Sequence, residues 1–281
     1  MLAQSIENIR NFVDRSYVSY HVKQNRKANF NPHLDLSVDT AHYLVKTADS
    51  RAEFEEVLRL RYEIFMKEGL NKNNPVRIDI DRYDFICDHL IIIDKRKNKL
   101  VGTYRLISNL FSKSFYSENE FALENFFSLP GNKLELGRAC IHKDYRNGIV
   151  ISLLWRGVMN YMERTSSRFL FGCASVKITS VQDILKLCKF VESQEFWTDE
   201  YKTGVQKEFK MDFLEFKPLG GQPPVDAAAA DLLPPLVQVY VKAGARLAGE
   251  PAFDKDFRCI DYLTVLDSER MNKSYERKYR G

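Results

Sequence analysis

Residues 134–175 alternate in a way that few folds accommodate. LELGRACIH (134–142) has strand composition, KDYRNG is a polar connection closed by glycine, and IVISLLWRGVMNYMER (149–164) is helical in spacing. RFLFGCAS (168–175) then follows as a nearly unbroken apolar run. Strand, helix and strand in that order form a βαβ unit, whose two strands run parallel. The apolar run predicts a strand buried on both faces. Upstream, HLIIID (89–94) and LVGTYRLI (100–107) flank the turn KRKNK and read as an antiparallel hairpin. The expected class is therefore α/β with a mixed, mostly antiparallel central sheet flanked by helices, and not a doubly wound one.

HYLVKTA (42–48) reads as a further strand, and Ser50 with Glu53 caps a helix running through Phe65. Residues 109–130 are aromatic and irregular, and 193–231 are polar with Gly220-Gly221 and Pro223-Pro224 as breakers. PPLVQVYVKAGA reads as a helix and CIDYLTVLD (259–267) as a strand. Ile6, Ile9, Val13, Tyr17 and Tyr20 stand at helical spacing ahead of Lys23, Arg26 and Lys27. Such an extension either packs on the domain or rests on anionic lipid as a peripheral element. The organisation expected is a basic amphipathic extension over 1–40, one domain over 41–267 and a basic tail over 268–281.

Composition narrows the function classes. In 281 residues, 44% are hydrophobic and 12% aromatic, enough to exclude global disorder. No run reaches the ~18–20 apolar residues of a membrane span; residues 227–241 come closest and are broken by Asp231, Pro234 and Pro235. The net charge of +4 gives no case for nucleic acid but suits an acidic protein partner or an anionic membrane surface. The N-terminus lacks the features of a secretory signal. Cys87, Cys140, Cys173, Cys188 and Cys259 are odd in number and never form CxxC, which points to reduced thiols in a cytoplasmic protein without a structural metal.

The densest chemistry lies in ELGRACIHKDYRNG (135–148). A carboxylate, a guanidinium, an imidazole and a glycine-closed helix entry share one βα connection, and a helix N-terminus is an anion site. One glycine is too few for a nucleotide-binding loop. Alternation would put Glu135 and Arg138 on opposite faces, and a bulge at Gly137 would bring them to one. Asp79, Asp81, Asp84 and Asp88 crowd into ten residues without the glycine and glutamate of a calcium loop. They are expected to bind a cationic amine or to fix Arg61, four residues before Phe65 on one helix face, and Arg105, whose strand position demands a partner. His89 and His142 are each either a base or structural, and Cys173 reads as packing material.

The order RYEIF (61–65), DIDRYDFICDHL (79–90), VGTYRL (101–106), ELGRACIHKDYR (135–146), LWRG (154–157), FGCAS (171–175) and PPLVQVYVKAGARLAGEPAFD (234–254) resembles the ornithine lipid-type N-acyltransferases, also labelled hemolysin-like, of the GNAT superfamily. The resemblance covers residues 41–267 and implies the GNAT fold with its splayed parallel strand pair. It implies transfer of a long, 3-hydroxylated acyl group from acyl carrier protein to the α-amino group of ornithine, giving lyso-ornithine lipid; glycine is the alternative acceptor. Arg61 with Phe65, Asp81 with Asp84, Arg105, and Glu135 with Arg138 are also similar to the pattern of acyl-homoserine-lactone synthases, which lack the GEPAFD portion; with Asp88, the residues Arg61, Phe65, Asp81, Asp84, Arg105 and Arg138 are the expected substrate-binding set. The superfamily's pyrophosphate loop is degraded to RNGIVIS (146–152), which favours a bare phosphopantetheine arm over coenzyme A.

An ammonium must lose a proton before it can attack a thioester. Glu135 is the expected base, with His142 second and Tyr145 protonating the departing thiolate. Backbone N–H groups of Ala139, Cys140 and Ile141 are expected at the oxyanion, and Lys143, Arg146, Asn147 and Gly148 along the pantetheine arm. Lys143, Arg146, Arg156, Arg164 and Arg168 offer positive charge to the carrier protein. The aromatic stretch 110–127 either walls the acyl chain or caps the core.

Overall fold

The computed structural model describes residues 31–73, 76–178, 180–211, 227–255 and 257–279. The expected N-terminal helix and the glycine and proline breakers at 220–224 lie outside them. The described chain divides into two units, one of residues up to 106 with 138–158, the other of 107–137 with 159 onward.

The first unit opens with β1 (Ser37–Asp39), ahead of residue 41 where the sequence places the start, and β2 (Tyr43–Thr47). Helix α1 (Arg51–Arg61) begins where expected: the Ser50 side chain accepts from the Glu53 N–H at 3.3 Å. It widens into π turns over Tyr62–Gly69, so the helix outlasts its expected end at Phe65. The hairpin of β3 (Asp88–Asp94) and β4 (Lys99–Ser108) follows, with His89 opposite Arg105. Strand order is β1-β2-β3-β4-β5, where β5 (Asn132–Ile141) contributes its second half here. Helix α2 (Ile149–Arg164) leaves this unit after residue 158. Val57, Leu60, Ile91, Leu100 and Cys140 form a core cluster, with Ile64 and Phe65 packed against it.

In the second unit the first half of β5 runs parallel to β6 (Ser167–Val176), confirming the βαβ reading. Their ladder spans Asn132↔Ser167 to Glu135↔Phe171 and ends there. The next residue of β6 is Gly172, and a Cβ on it would stand 2.2 Å from the Leu136 carbonyl oxygen, so only glycine permits this approach. The βαβ unit is followed by helix α3 (Val181–Ser193), capped by Ser180, which the sequence reading left unassigned. Helix α4 (Pro235–Ala243) and strand β7 (Arg246–Asp254) precede β8 (Cys259–Asp267). The order is β5-β6-β8-β7, with Trp197–Thr198 parallel to β7 at the edge. Lys273–Tyr279 is helical within the expected tail.

The aromatic stretch is more regular than expected, with a 3-10 turn at Tyr116–Asn119 and a short helix at Glu124–Ser128. Phe115, Phe121 and Phe126 are buried; Phe126 stacks edge-on to Phe171 at 5.2 Å and Tyr201 at 5.6 Å. These rings cap the core, while Leu110 and Phe111 are exposed.

Candidate active site

In the first unit three acids meet three guanidiniums. Arg61, fully buried on α1, donates to Asp79 (Nε, 2.8 Å) and Asp84 (Nη1, 2.5 Å). Arg105 on β4 donates to both oxygens of Asp81 at 2.7 Å and to Asp84 at 3.3 Å. Arg138 on β5 donates to Asp81 at 3.2 Å, and its guanidinium lies 5.9 Å from the Phe65 ring. The local fold makes this possible: Asp81 caps a 3-10 turn (Arg82–Phe85) and Asp84 reaches back to the Asp81 N–H, so the acids converge.

Burial alone would neutralise such groups, but the opposite charges outweigh it. Arg105, Arg138 and Arg61 hold Asp81 far below the usual carboxylate range, and Asp81 and Asp84 hold Arg105 above its own. The acids thus fix the arginines, the second of the two expectations. Asp88 is apart from them: it accepts from the His33 and Leu34 N–H groups at 2.8 and 3.0 Å. His89 is buried, and desolvation pushes it down to about 4, which keeps it neutral and structural.

Arg138, rather than Gly137, takes the left-handed conformation in β5 (φ 51°). An L-residue there is strained, by roughly 1–2 kcal/mol, and the grip of Asp81 on its guanidinium offsets that cost.

The connection from β5 to α2 ends at Gly148 (φ 88°), where a Cβ would meet nothing within 4 Å. Lys143, Arg146 and Asn147 are exposed around it, while Cys140 is buried and Ala139 and Ile141 half-buried. Arg146 is engaged with both oxygens of Glu68, at 2.5 and 2.9 Å. Lys99 Nζ lies 2.9 Å from His142 Nε2; burial, then Lys99, lowers the imidazole, leaving it neutral. Tyr145 donates to Asp94, at the end of β3, at 2.7 Å, which raises the phenol; that hydroxyl is committed to the carboxylate and is a poor proton source for a thiolate.

In the second unit Glu135 is 2% exposed. Oε2 accepts from the Tyr116 N–H at 2.8 Å, and Oε1 from the Ser117 N–H and hydroxyl at 2.7 and 2.6 Å. Glu135 therefore anchors the 3-10 turn, with the Ser117 hydroxyl on Oε1. Arg168, expected to meet a carrier protein, is held by Asp267 and Glu269 at 2.8 and 2.9 Å.

The same unit holds a carboxylate group that the sequence reading missed. Glu120, Asp254 and Asp261 are all buried, with ligand oxygens no more than 4.8 Å apart. Asp261 faces Ser175 across the β6–β8 ladder. Desolvation, then the charges of Asp261 and Asp254, pushes Glu120 up to about 9. A signal existed in the sequence: Asp261 interrupts the apolar strand CIDYLTVLD, where an acid needs a reason.

A family model described as an acetyltransferase (GNAT) domain matches residues 60–156. The L-ornithine N(alpha)-acyltransferase of Rhizobium meliloti is 30% identical over 268 residues, covering 90% of both chains. That of Brucella abortus is 30% identical over 247 residues, covering 82% of this chain and 86% of the other. The chain belongs to this family. It is an N-acyltransferase of the GNAT type, as the motifs implied. An N-acyl amino acid synthase from uncultured soil microbes is similar in structure at 10% identity, with 82% of this chain and 94% of that one covered and a TM-score of 0.47. A CoA-dependent acyl-homoserine lactone synthase gives 14% identity, 82% and 88% coverage and a TM-score of 0.45. Among the described residues no helix of this N-acyltransferase is long and apolar enough to cross a membrane.

Proposed function

We propose that the protein moves a long-chain, 3-hydroxylated acyl group from the phosphopantetheine thioester of acyl carrier protein to the α-amino group of ornithine, yielding lyso-ornithine lipid. The observation that carries this reading is the 30% identity to an L-ornithine N(alpha)-acyltransferase along 90% of both chains. At the head of α2 the open space at Gly148, the exposed Lys143 and the positive end of the helix suit the phosphate of a pantetheine arm. The degraded pyrophosphate loop favours that arm over a nucleotide-bearing one.

The reaction needs no covalent enzyme intermediate. The ammonium loses a proton to Glu135 through the Ser117 hydroxyl, and the freed nitrogen attacks the thioester carbonyl. Backbone N–H groups of 139–141 stabilise the oxyanion as the C–N bond forms. Collapse breaks the C–S bond, and the thiolate leaves as a thiol with the second nitrogen proton. Lys143 steers the acidic carrier protein, at the inner face of an anionic membrane in the cytoplasm.

The test is expression in a host without aminolipids, followed by mass spectrometry of new lipids. A lyso-ornithine lipid is expected; N-acylglycine or an acyl-homoserine lactone as the sole new product would replace this reading. In purified form, Ser117→Ala is expected to lower kcat and to move the acid limb of its pH profile. An unchanged profile in folded variant rules out the relay.

A further inference from the structure

We propose that Glu120, Asp254 and Asp261 form the subsite for the side-chain ammonium of the amino-acid acceptor, so that the enzyme selects a diamino acid over an uncharged one. The inference rests on the reading of ornithine as acceptor and adds the residues that recognise its second amine.

Glu120 Oε2 and Asp261 Oδ1 are buried and have no hydrogen-bond partner. Neither residue forms an ion pair with lysine or arginine among the described residues. Buried carboxylate oxygens are rarely left so, because desolvation without a partner is costly. The acids expected to receive an amine, Asp79, Asp81 and Asp84, are taken by guanidiniums. The carboxyls left without a cationic partner, Glu120 and Asp261, are thus in the second unit.

Geometry suits an ammonium. A tetrahedral N⁺ with N–H···O⁻ contacts of about 2.8 Å holds its acceptors about 4.6 Å apart. The three acids offer oxygens within 4.8 Å of one another, close enough to converge on one such group. The strand pattern gives access. Cys173 and Ser175 share a face of β6 beyond Gly172, where the parallel ladder has ended, and Ser175 is exposed while Cys173 is half-buried. The acids sit beside that face, with Asp261 opposite Ser175 and Asp254 opposite Cys259. A short aliphatic chain entering over Ser175 would carry its terminal ammonium to them. The same oxygens could hold a divalent cation, which the test must separate.

The experiment compares L-ornithine with L-norvaline, which lacks only the side-chain amine, in wild type, Glu120→Gln and Asp261→Asn. The ratio of kcat/KM for ornithine to that for norvaline is expected to fall at least tenfold in each variant. Thermal shift without acyl donor should show wild type stabilised by ornithine and not by norvaline, with the shift lost in Asp261→Asn. Both variants replace a carboxyl that has no cationic partner by a neutral amide of nearly the same shape, so they should melt no lower than wild type, and a folding defect would itself count against the inference. If wild type acylates ornithine and the ratio stays unchanged, this inference alone fails. If Mn²⁺ or Ca²⁺ alone gives the shift that Asp261→Asn abolishes, the site is a metal site instead. A wild type neither acylating ornithine nor stabilised by it sinks both readings.

Discussion

Two buried carboxylate clusters, one in each unit, solve the same electrostatic problem differently. Asp79, Asp81 and Asp84 are matched by Arg61, Arg105 and Arg138, and their charge is settled within the fold. Glu120 and Asp261 have no such partner, and both are pushed up, toward the protonated form. A closed network of that kind is framework, since breaking it exposes charge to a dry interior. An open one is held ready for a cation from outside. Acid count does not separate the two; the positive partners do.

The sharpest way to break this contrast is to remove one charge from each cluster. Arg61→Leu leaves Asp84 and Asp79 buried beside a missing guanidinium, and the expected loss is about 3–5 kcal/mol, read by urea denaturation. Asp261→Leu should cost nothing or stabilise. Equal losses at the two positions would erase the distinction.

pH tests the contrast without mutation. Asp79 and Asp81 have lowered pKa values, so their contribution is present above the unfolded value of 3.8 and is lost as pH falls below it. Glu120 runs the other way: raised from 4.5 to about 9, it contributes below 4.5 and loses that contribution as pH rises through 9. The slope is at most about 1.4 kcal/mol per pH unit for one group, so between pH 6.5 and 8.5 the loss is about 2–3 kcal/mol. Asp261, Asp254 and Cys173 face Glu120, and the charges of the two acids help to raise it. Denaturation midpoints should fall over that range in wild type and less in Glu120→Gln. A flat wild-type profile would mean the cluster is compensated after all.

Glu135 is an intermediate case, a buried carboxylate satisfied by neutral donors. Glu135→Gln replaces one acceptor oxygen with an NH₂ that must face the N–H of Tyr116 or Ser117. The expected cost is about 1–3 kcal/mol, with a melting temperature lower by several degrees, whether or not turnover also falls. Stability equal to wild type would show that the turn is held elsewhere.

These cases differ in how far sequence could show them. The matched cluster was legible because its acids are local, in a run of six residues, and because an arginine inside the strand VGTYRL demands a counter-charge. The βαβ unit was legible from its change of period. Helix α3 had the signal, with Ile184, Leu187, Cys188 and Val191 at helical spacing behind Ser180, and it was passed over. The unmatched cluster was hidden by distance. Glu120 sits in a polar run, SENE, that reads as a solvated turn, and only strand pairing and the aromatic cap bring it to Asp254 and Asp261. Glu135 stands out in the sequence as a candidate base, but nothing in spacing announces that the 116–117 backbone occupies its oxygens. Sequence reports which groups are odd, whereas partners drawn from remote segments decide what the oddity is for.

The smallest expected effect concerns the exposed counterpart of the buried pairs. Arg146 and Glu68 form a two-nitrogen fork, whereas Arg105 reaches both oxygens of Asp81 through Nη1 alone, and here both side chains are more than 40% exposed. Water has already solvated both charges, so little is lost when they part; such pairs are worth about 0.2–1 kcal/mol. Arg146→Glu should therefore leave the melting temperature within a degree or two, while raising the apparent KM for acyl carrier protein, with the effect fading as salt screens the encounter. An arginine–carboxylate contact thus has two meanings, set by burial. If Arg146→Glu unfolded the protein as Arg61→Leu is expected to, burial would not be what distinguishes framework from docking charge. An unchanged KM at low salt would instead show that the carrier protein meets another face.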